Sequence, residues 1–275
     1  MIRKIFISAS IILIMLIAVS CEWPTGGTPF TDNSLPRDKL EAVERLINHG
    51  NLAFEKKQYE NAAIYYTKAI KELEGSENSN LVTAYYNRGL AYLKKGSYES
   101  AIRDFTKVVQ LNPNDGRAYY NRGNALALIN FYERAIADYS RAIAISPEKA
   151  SLYYSRGLTY QEKREYYDRA IDDFKKAVTI NPGDKKSYCF LGITHYKKKD
   201  YREAQKYFGK ALSIDPNYAE AVMGRGQAYL RSGKIEQSLS DFKKACDMGE
   251  DTGCTMLELL TTKKSDVQEQ PKGRY

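Results

Sequence analysis

The sequence predicts an all-α fold built from about six antiparallel helix hairpins stacked in tandem. The main observation is a segment that ends at Pro113 and returns about every 34 residues, ending again at Pro147, Pro182 and Pro216. Each copy reads as a helix, a short turn and a second helix, and the second helix stops at the residue before the proline. A fixed period of this length is typical of arrays of helical hairpins.

The first repeat is the least regular. Its helical periodicity begins near Asp38, which suits the N-cap position after Pro36. A longer polar loop, Gly75 to Asn80, precedes the second repeat. Irregular terminal repeats are expected because one side of an end unit meets solvent.

The second, third and fourth repeats differ in their internal turns. Gly96-Ser97 and Asn130-Phe131 mark the turns of repeats two and three. Repeat four carries one extra residue within 164–169. We expect the extra residue in the turn, with Tyr166 or Tyr167 in the usual aromatic position.

A glycine interrupts the first helix of repeats two to six, where it costs about 1 kcal/mol relative to alanine. The compensation we expect is close approach of the two helices in a hairpin, with alanines on the facing helix. The glycines are Gly89, Gly123, Gly157, Gly192 and Gly226, and the alanines are Ala101, Ala135, Ala170 and Ala204.

The best copy reads T-A-Y-Y-N-R-G-L-A-Y-L-K-K-G-S-Y-E-S-A-I-R-D-F-T-K-V-V-Q-L-N-P, from Thr83 to Pro113. Its spacing of aromatic, Gly, aromatic, small residue, aromatic, Ala and Pro resembles the tetratricopeptide repeat family, over about residues 43 to 252. The resemblance implies a right-handed solenoid of about six repeats. It also implies a concave groove lined by the first helix of each repeat, in which peptides bind.

The N-terminus carries the marks of export. Arg3 and Lys4 precede an apolar run from Ile5 to Val19 that is shorter than a bilayer-spanning helix. Small residues before Cys21 resemble a bacterial lipoprotein signal, although Ala18 stands where most such signals have Leu. The resemblance implies a signal peptide over 1–20 and acyl chains on Cys21; an ordinary cleaved signal or an uncleaved anchor are the alternatives.

The rest of the chain divides by composition. Residues 21–37 contain prolines, glycines and short polar residues, which predict a flexible tether. Residues 38–262 form the repeat array with a short capping helix at 254–262. Residues 263–275 are predicted to be a disordered tail.

Comparison of the repeats with one another suggests an ion pair inside four of them. Repeats two, three, four and six carry Arg before the Gly and Asp before the second-helix aromatic, whereas repeats one and five carry neither. Covariation implies contact, although coincidence between related copies is the alternative. The predicted pairs are Arg88–Asp104, Arg122–Asp138, Arg156–Asp173 and Arg225–Asp241.

The segment from Lys244 to Cys254 resembles the junction of Sel1-like, cysteine-rich exported repeats. In those repeats cysteines at this spacing are joined, so the resemblance implies a Cys246–Cys254 disulfide, which export permits. Reduced structural thiols are the alternative. Cys189 is left over, and we interpret it as a small free hydrophobe at a groove-facing position.

Repeat register places a set of polar and apolar side chains in the groove that the resemblance implies. Tyrosine offers a large contact area with a hydroxyl, and asparagine can bond a peptide backbone in both directions. The alternative is that some of the tyrosines only pack between repeats. The set is Asn51, Tyr86, Asn87, Leu90, Arg117, Tyr120, Asn121, Asn124, Tyr154, Ser155 and Lys186, with Leu158, Cys189, Phe190 and Ile193 beside it.

The chaperone-binding members of the family clamp a C-terminal carboxylate with Lys, Asn, Asn, Lys and Arg. Asn51, Asn87 and Arg117 match three of these positions, whereas Ile47 and Asn121 stand where Lys and Arg would be. The clamp is therefore incomplete, and we do not predict a carboxylate ligand.

Composition argues against catalysis and against nucleic-acid binding. The chain has 42 basic and 34 acidic residues, a net charge of +8 that is spread along the repeats without a basic run. The two histidines lie in different repeats, and no zinc-binding spacing or phosphate-binding loop occurs. We therefore expect no enzyme activity, no metal and no cofactor.

These observations predict a lipid-anchored protein of the bacterial cell envelope, facing the periplasm or on the outer membrane. It would bind a protein or peptide as a non-catalytic scaffold for assembly or secretion. One alternative is a surface-exposed adhesin for host molecules. Another is a subunit of an enzyme whose chemistry lies in a partner chain.

Overall fold

The computed structural model describes residues 35–76 and 79–268, with side chains through Thr262. Within these ranges the chain is helical apart from short connections, and it contains no strand. The predicted all-α array of tandem hairpins is thereby confirmed. The predicted signal peptide, the tether up to residue 34 and residues 269–275 lie outside the described residues.

The chain forms two compact units, Met1–Thr159 and Tyr160–Tyr275, and we describe each by itself. In the N-terminal unit, helices pair into three hairpins, α1/α2, α3/α4 and α5/α6, followed by the first helix of repeat four. The helices are α1 (Arg37–Glu55), α2 (Tyr59–Leu73), α3 (Ser79–Lys95), α4 (Tyr98–Leu111), α5 (Gly116–Leu128), α6 (Tyr132–Ile145) and α7 (Ala150–Tyr160).

The C-terminal unit continues the same alternation. A 3₁₀ turn at Arg164–Tyr166 leads into the second helix of repeat four, and two complete hairpins and a terminal helix follow. The helices are α8 (Tyr167–Ile180), α9 (Lys185–Lys197), α10 (Tyr201–Ile214), α11 (Ala219–Arg231), α12 (Ile235–Asp247) and α13 (Asp251–Gln268).

Three helix ends differ from the sequence prediction. Pro36, not Asp38, is the residue that caps α1, and Asp38 lies in the first turn, where its charge suits the helix dipole. Helix α3 already begins at Ser79, so the predicted loop is shorter. Helix α13 runs from Asp251 to Gln268 rather than over 254–262, because no Gly or Pro interrupts 254–268.

The extra residue of repeat four changes the geometry of its turn. In the other five described hairpins, the turn contains a residue with a left-handed backbone: Lys57, Gly96, Asn130, Lys199 and Gly233, with φ between 60° and 84°. Repeat four uses the 3₁₀ turn instead. Tyr167, as the first residue of α8, then takes the usual aromatic position, and the ring of Tyr166 packs on Tyr160 at 5.7 Å.

An aromatic ring on the second helix packs directly onto the glycine of the first helix in each hairpin for which the contact is described. A methyl group at Gly123 would lie 2.9 Å from the ring of Tyr139. The same holds for Gly50 with Tyr66, Gly89 with Phe105, Gly192 with Phe208 and Gly226 with Phe242, at 2.5–2.9 Å. The glycines therefore face these rings; the expected partners, Ala101, Ala135 and Ala204, are fully buried but are not the nearest atoms.

This contact can be tested with two glycine-to-alanine changes. Gly123→Ala should lower the free energy of unfolding by about 1–3 kcal/mol, because the buried Tyr139 ring has no room to shift. Gly209→Ala, in α10, is the control: a methyl group there has no neighbour within 4 Å. The control should be neutral or stabilising by up to about 1 kcal/mol. Urea denaturation followed by circular dichroism measures both, and equal effects of the two changes would contradict the packing argument.

Among the described residues, no helix combines the length and the hydrophobicity that a membrane crossing requires.

Candidate functional site

Side chains of successive first helices touch one another across the N-terminal unit. We call the surface formed by α1, α3, α5 and α7 the first-helix face. On it, Asn87 Nδ2 donates a hydrogen bond to Asn51 Oδ1 at 3.1 Å, and Asn121 Nδ2 donates to the Tyr86 hydroxyl at 2.9 Å. Ser155 Oγ donates a hydrogen bond to the hydroxyl oxygen of Tyr120 at 3.4 Å. The structure thus brings most of the predicted groove residues of this unit together.

Exposure divides the predicted groove residues into two groups. Those of the first three repeats that remain half-exposed are Asn51, Tyr86, Asn87, Leu90 and Arg117. Those that are 2–4 % exposed are Tyr120, Asn121, Asn124, Tyr154 and Ser155. The reason is that large side chains of neighbouring first helices interlock, so only the first group presents an accessible surface.

Two of the predicted groove asparagines hold a core tyrosine. Tyr66 donates its hydroxyl proton to Asn51 Oδ1 at 2.8 Å, and Tyr139 donates to Asn124 Oδ1 at 2.8 Å. Burial raises the pKa of Tyr66 to about 12, so its hydroxyl stays a donor well into the alkaline range. The sequence contained the signal: in repeats two, four and five, a Phe at the tyrosine position accompanies Leu or Ile at the asparagine position.

Two buried amide atoms on α5 lack a partner. Asn121 Oδ1, an acceptor, and Asn124 Nδ2, a donor, are inaccessible and make no hydrogen bond with any residue that the structure describes. The two residues are three positions apart and therefore share one side of the helix. An unpaired buried polar atom costs about 1–3 kcal/mol, so a ligand group that pairs with both would be favoured.

Arg117 is held in place by its own helix cap. Asp115 caps α5 by accepting from the backbone N–H of Arg117 and Ala118, and it also accepts from Arg117 Nε and Nη2 at 3.1 and 2.9 Å. The guanidinium lies 5.0 Å from the centre of the Tyr86 ring. These bonds leave Arg117 a fixed, half-exposed cation, and Asn51 is likewise engaged by Tyr66 and Asn87.

The groove residues predicted for the C-terminal unit have a different environment. Lys186 is half-exposed, whereas Cys189 and Phe190 are 1 % and 6 % exposed. Cys189 lies in a hydrophobic cluster with Phe208 and Ala221, and burial strongly raises the pKa of its thiol. The cysteine is therefore a core residue and does not line an accessible groove.

Three of the four predicted ion pairs are present as close contacts between the two helices of a hairpin. Arg88 Nη2 lies 2.7 Å from Asp104 Oδ1, and Arg122 Nε lies 2.7 Å from Asp138 Oδ2. In the C-terminal unit, Arg225 Nη2 lies 2.8 Å from Asp241 Oδ1. The pair Arg156–Asp173 would join residues of different units and stays a prediction.

Each N-terminal-unit arginine of the predicted pairs also reaches the preceding repeat. Arg88 Nη1 donates to Thr67 Oγ1 at 2.9 Å, Arg122 Nη1 to Thr106 Oγ1 at 3.2 Å, and Arg156 Nη1 to Ser140 Oγ at 2.8 Å. Thus Arg88 and Arg122 each tie three helices together. These hydroxyl residues each directly follow the second-helix aromatic residue, and they were not recognised in the sequence as part of this network.

Removing the carboxylate of one pair tests its structural role. Asp138→Leu leaves the guanidinium of Arg122, whose side chain is 18 % exposed, without its counter-ion. We expect a loss of about 3–5 kcal/mol in unfolding free energy, measured as a clear drop in Tm. Asp172→Leu, at an exposed position of α8, is the control and should change stability by about 0.5 kcal/mol or less. A negligible shift for Asp138→Leu would reject the role of this pair.

Repeats one and five replace the ion pair by an aromatic stack. In repeat one, His49 stacks on Tyr65 at 5.5 Å. In repeat five, Leu191 and Tyr207 occupy the pair positions, and His195 stacks on Tyr207 at 5.2 Å. His195 Nδ1 lies 3.1 Å from Asp200 Oδ2, while Nε2 is buried without a partner.

The environment of His195 makes stability depend on pH. Burial lowers the pKa of His195, more than the contacts with Asp200 and Glu203 raise it. The unfolded chain, with a histidine pKa of about 6.5, therefore binds a proton more readily than the folded protein. Stability should fall as the pH drops below about 6.5 and through the folded-state pKa.

His195→Gln provides the measurement. The urea midpoint of the native protein should exceed that of the variant at about pH 7.5, and the difference should shrink as the pH falls to about 5.5. The exposed His49, changed to Gln, supplies the baseline over the same range. A difference between native protein and His195→Gln that stays constant with pH would refute the assignment.

The structure joins Cys246 at the end of α12 to Cys254 in the first turns of α13. Gly253 allows this approach, because a methyl group there would lie 2.8 Å from Ala245 Cβ. The disulfide and this contact hold the terminal helix against α12.

No group of three or more potential metal ligands occurs within residues 35–76 and 79–268.

Short stretches of this chain are similar to several curated proteins. A segment of 87 residues is 33 % identical to rat mitochondrial import receptor subunit TOM70 and spans 32 % of this chain but 14 % of that protein. Another of 72 residues is 38 % identical to the fission-yeast heat shock protein sti1 homolog, covering 26 % of this chain and 11 % of the relative. The chain therefore spans only a small part of the relatives that it matches.

Solved structures match over longer stretches. A tetratricopeptide repeat protein from Parabacteroides merdae ATCC 43184 has a TM-score of 0.63 at 20 % identity, covering 80 % of this chain and 99 % of that one. MamA from Desulfovibrio magneticus RS-1 has a TM-score of 0.60 at 25 % identity, covering 65 % and 97 %. YrrB, described as a TPR protein with an unusual peptide-binding site, has a TM-score of 0.58 at 25 % identity, covering 72 % and 97 %.

Sequence profiles for the tetratricopeptide repeat match residues 43–72, 82–115, 150–184, 186–218 and 219–251, and a related TPR profile matches 128–164. These matches cover more than half of the chain. Those to 43–72, 82–115, 186–218 and 219–251 coincide with hairpins described above, whereas the match to 128–164 spans α6 and α7. The chain belongs to the tetratricopeptide repeat family.

Proposed function

We propose that this protein is a non-catalytic scaffold that binds an extended peptide segment of a partner protein on the first-helix face of its N-terminal unit. Tetratricopeptide repeats are in general protein-interaction scaffolds without catalytic activity, which supports the coarse assignment. The more specific assignment, an extended peptide on the first-helix face, rests on the unpaired acceptor Asn121 Oδ1 and the unpaired donor Asn124 Nδ2 on one side of α5.

A peptide group is the complement of these two atoms. Its N–H can donate to Asn121 Oδ1, and a neighbouring carbonyl can accept from Asn124 Nδ2. Both atoms lie below the accessible surface, so contact requires neighbouring side chains to move aside. The half-exposed Tyr86, Asn87 and Leu90 supply the entry surface next to them.

The charge distribution argues for an internal segment rather than a chain terminus. Arg117 already pairs with Asp115 through two nitrogens, and Asn51 is occupied by Tyr66 and Asn87. A terminal carboxylate would have to compete with these bonds. The similarity to YrrB, a TPR protein described as having an unusual peptide-binding site, supports peptide binding of another kind.

The place of action that we propose is the bacterial cell envelope, with the protein anchored by acyl chains on Cys21. The support is the sequence before Cys21: two basic residues, an apolar run and small residues. At that location, assembly or secretion complexes are the scaffold role that we favour. Metabolic labelling with a fatty acid tests the anchor, because Cys21→Ala should abolish incorporation.

Site-specific crosslinking tests the binding face. A photoreactive amino acid in place of Leu90, on the first-helix face, should give a discrete crosslinked species with a partner in the producing cells. The same residue in place of Gln110, exposed on α4, is the matched control and should not give that species. Adding the double change Asn124→Leu/Tyr139→Phe, the combination that repeats two and four carry at these positions, removes the unpaired donor without leaving the buried tyrosine hydroxyl unpaired. It should reduce the Leu90 product at least tenfold, from about one lost buried hydrogen bond.

Two results would reject this assignment. Equal products from positions 90 and 110 would show that the first-helix face is not selected. An undiminished product in the Asn124→Leu/Tyr139→Phe background would show that binding on this face does not use the unpaired amide atoms. Circular dichroism of each variant confirms that the fold is retained.

Two other functions make different predictions. A surface adhesin for host molecules should be removed by protease from intact cells, whereas a periplasm-facing scaffold should be protected. A subunit of an enzyme with its chemistry in a partner chain should bring that activity with it on affinity capture from solubilised membranes.

A further inference from the structure

We infer that the peptide bound on the first-helix face carries an Asp or Glu side chain that pairs with Lys94, two positions away from an apolar side chain that packs on Leu90. This inference rests on the proposed function, because it names the class of peptide that the same face takes. The carboxylate is the new element, since the proposed amide contacts with α5 involve only the backbone of the segment.

Lys94 lies on the stripe of α3 that contributes to this face. Tyr86, Leu90 and Lys94 follow one another at steps of four residues, so their side chains share one side of the helix. All three are half-exposed. The lysine therefore stands next to Leu90, at the end of the entry surface described above.

Lys94 is a half-exposed cation that has no partner. It forms no hydrogen bond, ion pair or ring contact with any residue that the structure describes, and burial lowers its pKa because no nearby charge compensates for the loss of solvent. A partly desolvated cation without a counter-ion is unfavourable. A carboxylate supplied by a ligand would form a charge-assisted hydrogen bond with it and would be favoured at this position.

Burial without pairing distinguishes Lys94 from the other cations of the N-terminal unit. Every other half-exposed lysine or arginine between residues 35 and 159, within the described part of the chain, has an interaction partner. These are Lys39, Arg88, Arg117, Arg122, Lys149 and Arg156. Among the described residues of the C-terminal unit, the comparable cation is Lys186, which is also a predicted groove residue on a first helix.

The helix dipole does not account for the environment of Lys94. Lys95 lies in the same last turn of α3, where a cation suits the dipole, but it is exposed and forms a salt bridge with Glu60. The dipole requires neither partial burial nor the absence of a counter-ion. Glu55 holds the position of Lys94 in repeat one, yet it is exposed and forms no salt bridge with Lys94.

The same position in repeat five shows how the protein can satisfy such a lysine internally. There, Lys197 donates to Gln161 Oε1 at 3.4 Å, and its amine lies 5.9 Å from the centre of the Tyr167 ring. Repeat two offers Lys94 no equivalent group. The partner of Lys94 is therefore expected from outside the chain.

The spacing of Leu90 and Lys94 sets the pattern of the segment. Four residues of an α-helix rise by about 6 Å, which is close to the separation of about 6.6 Å between alternate residues of an extended chain, whose side chains point to the same side. A segment that runs along α3 thus places an apolar side chain on Leu90 and a carboxylate beside Lys94, two positions apart. Pairing of neighbouring peptide groups with Asn121 and Asn124 along α5 agrees with this direction.

A synthetic peptide library tests the preference. The probe is a pool of random dodecapeptides, acetylated and amidated at their ends so that only side chains carry charge. The full chain, purified from the producing cells, captures peptides from the pool, and mass spectrometry identifies them. The captured peptides should be enriched several-fold in Asp or Glu placed two positions from an apolar residue.

Substitutions of two lysines decide the role of Lys94. Lys94→Gln should remove the enrichment, and Lys94→Glu should replace it by an enrichment in Lys and Arg. Lys107→Gln changes an exposed lysine of α4 that forms no salt bridge within the described residues, so it is the matched control and should retain the enrichment.

A captured peptide then provides the affinity. Replacing its Glu by Gln should raise the Kd for the native protein about tenfold, as expected for one charge-assisted hydrogen bond. The same replacement should leave the Kd for Lys94→Gln nearly unchanged. Fluorescence anisotropy measures both values, and circular dichroism confirms that each variant keeps the fold.

Four results would overturn the inference. These are capture without acidic enrichment, acidic enrichment at another spacing from the apolar residue, enrichment that persists in Lys94→Gln, and capture only from a second pool with free terminal carboxylates. In each of these cases, peptide capture and the crosslink from position 90 would still support the proposed function. If the native protein captured no peptide and position 90 gave no selective crosslink, the proposed function would fail together with the inference.

Discussion

The hairpins depend on the contact between a glycine of the first helix and an aromatic ring of the second. In five described hairpins a β-carbon on the glycine would lie 2.5–2.9 Å from an atom of the ring, so the backbone of one helix packs directly against the ring. This contact sets the separation of the two helices within a hairpin. A solenoid repeats that separation, which explains why glycine, a poor helix former, is accepted at the centre of each first helix.

The polar groups act around this contact rather than in place of it. Where the ring belongs to a tyrosine, its hydroxyl must find a partner, and Asn51 or Asn124 supplies one. Where a repeat carries the Arg–Asp pair, the arginine adds a bond to a hydroxyl of the preceding repeat. These bonds specify register between neighbours, because each depends on one residue type at one position in each of two or three helices.

The two faces of the N-terminal unit differ in chemistry for the same reason. Side chains of the first helices interlock across repeats, so the polar groups there are largely engaged and several are buried. Side chains of the second helices point into solvent, where Arg103, Lys107 and Arg134 are exposed and form no salt bridge within the described residues. One face thus offers hydrogen-bonding groups of defined geometry, and the other offers charge with little geometric constraint.

The sequence by itself determined the hairpin array, the repeat register and three of the Arg–Asp pairs, since each of these depends on spacing that recurs along the chain. In a hairpin of this period Arg88 lies opposite Asp104, and in the structure Arg88 Nη2 is 2.7 Å from Asp104 Oδ1. The same comparison of spacing predicted that the extra residue of repeat four lies in the turn between its two helices. Helix α13 was placed only approximately, because a terminal helix has no second copy with which its ends can be compared.

Tertiary structure alone decided which of the predicted groove residues are accessible. Tyr86 and Tyr120 occupy the same repeat position, yet the first is half-exposed and the second is 3 % exposed. Exposure depends on the size and packing of side chains from adjacent helices, which a repeat pattern does not encode. For the same reason the sequence could not predict that Asn121 and Asn124 each have an unpaired atom, because this depends on the side chains that surround α5.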